Sequence, residues 1–229
     1  MRVAYIAIAV SIALSLVGIA TSFTIDQPRV ILKTEIPEKP AKISLYIQKG
    51  EERDFYISDD LMKPKESLPS NETALKIAEE FLTKRGLPDD AKLTTIERVE
   101  LKGLNVKTGE IVSQKPLFVS IKYKRTLNGF PVVGPGDEIE VAVAKDVLYF
   151  SKKWKILERV ADVNAIPASE ALKKLEKGEI LNKPMGLAYP ITIHRIELGY
   201  YSEKELYPAW IFHCKDSAGE DLKLAVGAI

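Results

Sequence analysis

The chain has 229 residues, 46% hydrophobic, 28% charged and 8% aromatic, a composition that excludes disorder, collagen and coiled coil as overall descriptions. Lysine and arginine total 33 against 32 aspartate and glutamate, and so balanced a chain has no general attraction for nucleic acid. Cys214 is the only cysteine, which excludes an intramolecular disulfide and any multi-cysteine metal centre.

Residues 3–20 form an apolar run without a charge, preceded by Arg2; the first acidic residue after it is Asp26. As a helix this run would be roughly 27 Å long, close to the hydrocarbon thickness of a bilayer. It predicts a single-pass transmembrane anchor over residues 1–24, with the chain beyond Asp26 outside the cell membrane. A cleaved signal peptide is the competing reading, since Ala20, Thr21 and Ser22 are small enough for a cleavage site. Residues 25–65 hold an extended run at 29–36, closed by Pro37 and Pro40, and a strand at 42–48. In that strand Ile43, Leu45 and Ile47 alternate with Lys42, Ser44, Tyr46 and Gln48. A polar, proline-containing linker follows at 58–70.

Ser70 or Asn71 caps a helix over 71–86, in which Leu75, Ile77, Ala78, Phe81 and Leu82 recur at helical spacing before Gly86 stops it. Strands are predicted at 93–101 and 117–125, then a turn at Asn128-Gly129, then a hairpin of 138–144 and 147–156 about Lys145-Asp146. The order then restarts. A second helix over 168–177, opened by Pro167 or Ser169 and closed by Gly178, points Ala171, Leu172 and Leu175 to one side. Strands follow at 191–199, 206–214 and 221–226. Helix then antiparallel strands, twice over, predicts an α+β fold of two unequal helix-on-antiparallel-sheet units, 66–160 and 161–229, after an N-terminal transmembrane helix.

This order and several strings resemble the PepSY-like modules and, within them, the YycI/YycH regulatory family of the cell envelope. The strings are LNGFPVVG at 127–134, IPASEALKKLEKGEI at 166–180 and IHRIELGYYSEKELYPAWIF at 193–212. The resemblance spans about residues 66–229. It implies a non-enzymatic protein that holds a sensor kinase in check through membrane-helix and extracellular contacts. Related PepSY modules restrain secreted metalloproteases as propeptides.

Catalytic chemistry finds little material. His194 and His213 are the only near-neutral bases, and His213 and Cys214 point to opposite faces of a strand. No serine lies in a G-x-S-x-G elbow, and Gly134-Pro135-Gly136 lacks the lysine and helix of a phosphate loop. No catalytic residue, metal site or cofactor is assigned. Asn71-Glu72-Thr73 is both a glycosylation sequon and a plausible helix cap. Alternation along 147–156 separates Tyr149 from Phe150 and Trp154. Tyr200 and Tyr201 follow Gly199 in what reads as a charged loop, and Tyr207 and Trp210 resume the adjoining strand. These four rings are the expected protein-partner contacts. The resulting expectation is an exported, membrane-anchored, non-enzymatic module that regulates or inhibits an envelope partner such as a sensor kinase or protease; the alternative is a cell-surface scaffold.

Overall fold

Extended backbone dominates residues 30–38 and 42–229, which are those the computed structural model describes. Of these, 54% lie in strands and 12% in helices. The strands are β1 (Val30–Leu32), β2 (Lys42–Ile57), β3 (Ala91–Leu104), β4 (Ile111–Leu127), β5 (Phe130–Val133), β6 (Glu138–Val143), β7 (Val147–Asn164), β8 (Ile191–Ser202), β9 (Leu206–Lys215) and β10 (Asp221–Gly227). The helices are α1 (Asn71–Arg85) and α2 (Ala168–Glu176). The expected transmembrane segment lies outside the described residues, and among the described residues no helix is long and apolar enough to cross a membrane.

The strands form one sheet, in the order β10-β9-β8-β5-β4-β6-β7-β2, with β1 also on β8 and β3 also on β4. The sheet curls into a half-barrel. This overturns the α+β expectation of two separate helix-on-sheet units. The joint is β5: it folds back on β4 after the Asn128-Gly129 turn, then pairs parallel with β8 through Val132↔Tyr200 and Val133↔Tyr201. A four-residue string thus welds the halves. Polar stretches also extend the ladders, because β2 and β7 stay paired from Ile57↔Tyr149 to Lys42↔Asn164, far past the apolar alternation that marked their predicted ends.

Local chemistry explains the helices. The Ser70 hydroxyl accepts from Thr73 N at 3.1 Å, and Gly86 closes α1 in the left-handed region. Pro167 is the N-cap of α2 and makes no side-chain cap bond. Ala74, Ala78 and Leu82 are buried beneath α1, as are Ala168, Ala171 and Leu175 beneath α2; Leu75, Ile77, Phe81 and Leu172 are partly buried.

Both helices pack on the same face of the sheet. Along β4, alternation places Val119, Ile121 and Tyr123 in the α1 cluster with Phe150 and Trp154, and Leu127 in the α2 cluster with Ile193, Tyr200, Trp210 and Phe212. Between the clusters, on the same strand, stands buried Arg125. The opposite face bears a small apolar cluster of Tyr201, Ala209, Ile211, Ala225 and Val133. The outer edge of β10 is covered: Leu181 N donates to Ala225 O, and the Asn182 carboxamide bridges Ala225 N and Lys223 O, which shields a template for unwanted pairing.

Candidate functional site

Four elements converge on a buried ionic junction where the halves meet. Asp137, just before β6, accepts from Arg125 Nη1 at 2.7 Å and from Lys155 N at 2.9 Å on one oxygen, and from Ser202 Oγ at 2.5 Å on the other. The Lys155 ammonium donates to Ser202 Oγ at 2.9 Å, Glu203 O at 2.9 Å and Gly136 O at 3.2 Å. Arg125 completes its fork with Lys155 O at 2.8 Å and an ion pair to Asp90 at 2.8 Å, and its guanidinium lies 4.5 Å over the Trp154 ring. Two cations meet two carboxylates, so the cluster is balanced. Burial holds the Lys155 ammonium below the usual lysine range, opposed by the Asp137 charge. Glycine at 136 is required, since a Cβ there would lie 2.2 Å from Ser202 Oγ and 2.4 Å from Lys155 Nζ.

A serine beside a lysine invites comparison with a nucleophile and its base. Here the hydroxyl donates to Asp137, and Ser202 and Lys155 are only 0% and 1% exposed. Neither side chain is open to solvent, and all three ammonium protons are engaged. The junction is a lock between the halves. Sequence reading missed it because its bonded side chains are separated by 12 to 65 positions and none has a local signature.

The four expected contact rings need correction. β8 continues through Tyr200 and Tyr201 to Ser202, which pairs with Leu206, so the two tyrosines lie on a strand and not in a loop. Gly199 is no strand end: a Cβ there would lie 2.5 Å from Pro131 O of the neighbouring β5. Tyr200 is fully buried, donates to Ser44 O at 2.8 Å and meets Tyr46 and Phe130 edge-on. Tyr201 is buried in the cluster on the opposite face. Trp210 is buried and its indole N–H donates to Ile166 O at 2.9 Å. Tyr207 alone is open, 43% exposed, with its hydroxyl on Glu205 at 2.6 Å. Three of the four therefore build the core, as the high strand propensity of tyrosine and tryptophan allows. Asn71 is exposed as the first residue of α1, while Ser70 supplies the cap.

His213 Nε2 sits 2.6 Å from Glu197 Oε1, and Arg195 also pairs with Glu197. His194 lies at a register shift in β8. Among the described residues no group of three or more His, Cys, Asp or Glu side chains could hold a metal. Cys214 is buried, and burial raises its thiol from the ordinary value to about 11. Its thiolate fraction at pH 8 is then roughly 100-fold below that of an ordinary thiol. Iodoacetamide should label the native protein slower than the urea-unfolded chain by about that factor, as read by intact mass; equal rates would refute the burial.

A second feature is an arm. β6 covers β4 only over Val119–Lys124, so from about 100 to 115 the β3–β4 hairpin runs on with no further strand beside it among the described residues. Leu101, Leu104, Ile111 and Val112 are exposed along it, and Val106 at its tip is 99% exposed. Leu104 pairs with Ile111 across the strands. A free two-stranded ribbon is marginally stable in water, so an apolar one projecting from a sheet is a feature with a use. Sequence reading ended the strand at 101 and left this arm unnoticed.

No protein-family model and no curated protein matches the chain. Among solved structures it is similar to an uncharacterized protein from Eubacterium rectale ATCC 33656, at 14% identity and a TM-score of 0.39, over 74% of this chain and 56% of that one. The chain thus spans just over half the length of that neighbour, a likeness too distant to assign a fold or a function. The PepSY-like resemblance rests on the sequence strings alone.

Proposed function

We propose that this chain is an exported, non-enzymatic binding module that regulates or restrains a protein of the cell envelope, such as a sensor kinase or a protease. The observation that carries the reading is the projecting arm, with Leu104, Val106 and Ile111 held out in solvent at its end. Apolar side chains on a preformed ribbon give up water on docking and lose little conformational freedom. The exposed rings once expected of Tyr200, Tyr201 and Trp210 have no part in it.

The test is capture of the partner from solubilised envelope with the full chain as bait, followed by the triple substitution Leu104→Ser, Val106→Ser and Ile111→Ser. Exposed positions of this kind shift stability by roughly 0.5 kcal/mol or less each, so the melting temperature should hold. Capture should fall at least about tenfold, equivalent to about 1.4 kcal/mol. Undiminished capture by the triple variant would move the contact elsewhere and sink the role of the arm.

A further inference from the structure

The helix-free face carries a pocket of about 260 Å³ where β3, β4 and β5 approach β10, lined in part by Lys122, Lys124, Lys223, Thr126, Pro131 and Val133. We propose that this pocket binds a carboxylate with a short apolar body, supplied by a free organic acid or by the C-terminal residue of a polypeptide. The proposal does not depend on the arm.

Charge is the first argument. Lys122 faces Glu140 at 3.6 Å, and Lys124 faces Glu138 at 2.5 Å while donating to Gly134 O. Arg125, which also borders the pocket, is committed to Asp137 and Asp90. Lys223 makes no ion pair or side-chain hydrogen bond among the described residues. It pairs across the strands with His213, which in turn pairs with Arg195. Alternation puts these three side chains on the helix-free face, where Glu197 alone answers Arg195 and His213. Asp221, two residues along the same face of β10, faces Lys215 at 3.7 Å, so among the described residues the Lys223 ammonium has no ion-pair partner.

The walls are the second argument. Pro131 and Val133 offer apolar contact beside the cluster of Tyr201, Ala209, Ile211 and Ala225. Thr126 adds a hydroxyl at the rim. An apolar floor with a few convergent polar groups is the ordinary build of a small-molecule site, and this volume is below the range that holds drug-sized ligands. A fully hydrated ion such as sulfate would leave the apolar wall unused. A carboxylate on a short hydrocarbon body uses both.

Hexanoate and N-acetylvaline are the probes, titrated at constant ionic strength and followed by methyl NMR of Val133 and Thr126. Hexanamide and N-acetylvalinamide are the neutral controls. At least one acid should give saturable shifts that its amide does not, and Lys223→Gln should weaken it about tenfold, the scale of one charge-assisted hydrogen bond. Lys223 is exposed, so this variant should fold as the wild type does. Preference for N-acetylvaline points to a polypeptide C-terminus; preference for hexanoate points to a free acid. No saturation by about 20 mM, equal binding of the amides, or binding unchanged in Lys223→Gln would each overturn the proposal.

Discussion

Asp137→Ala should destabilise the fold by about 3–5 kcal/mol, the cost of removing one partner from a buried charge cluster. The substitution leaves Arg125 and Lys155 buried with no carboxylate between them, and takes the acceptor from Ser202 Oγ and Lys155 N as well. Loss should be felt in both halves at once, because Arg125, Asp137 and Lys155 belong to one side of the β5 joint and Ser202 to the other. Urea unfolding followed separately by near-ultraviolet absorption and backbone circular dichroism should show one shifted transition. A change below about 1 kcal/mol would show that the cluster is not the lock described above.

Lys155→Met separates the charge from the packing. Burial lowers the lysine's pKa below its ordinary 10.5, so between the folded value and 10.5 the unfolded chain binds more protons than the folded one. Stability from this group therefore rises as pH increases through that window. Tyr123, raised to about 12, and Cys214, raised to about 11, act in the opposite sense, because the unfolded chain loses those protons first. The variant should lack the lysine's upward contribution while keeping the others. As pH rises toward 10.5 the wild type should thus gain stability relative to Lys155→Met; parallel pH profiles would show that the ammonium carries no such penalty.

The second large effect concerns the rings. Tyr200→Ala should cost about 3–5 kcal/mol, as for any large aromatic removed from a packed core, and Trp210→Ala a similar amount. A loop position would give a change within about 0.5 kcal/mol, so the two placements are far apart in outcome. Tyr200→Phe keeps the ring against Tyr46 and Phe130 and removes only the bond to Ser44 O; its cost should be about 1 kcal/mol. Thermal melts of the three variants decide the matter. A stable Tyr200→Ala protein would return the tyrosine to the surface.

What could be read from the chain alone is what short-range chemistry dictates. The string Ser70-Asn71-Glu72-Thr73 and the stop at Gly86 define α1, because a hydroxyl cap and a left-handed glycine act within one turn. Asn128-Gly129 and Lys145-Asp146 define their hairpins for the same reason. Alternation put Phe150 and Trp154 on one face of β7 and Tyr149 on the other, and the structure shows that the face of Phe150 and Trp154 is the buried one. Tertiary structure decided everything that depends on distant partners. Phe130-Pro131-Val132-Val133 is only a turn-flanking string until β8 lies parallel beside it, and that contact turns two expected units into one sheet. Gly199 resembles a break until Pro131 O presses against it, so Tyr200 and Tyr201 change from loop to core. Lys155 lies in the strand predicted at 147–156, after Lys152, Lys153 and Trp154, and no neighbour in sequence marks it for burial. Its burial is set by Asp137, Ser202 and the carbonyls of Gly136 and Glu203, brought in from elsewhere in the chain. The free energy of such a site lies in desolvation and long-range pairing, which no local pattern of residue types encodes.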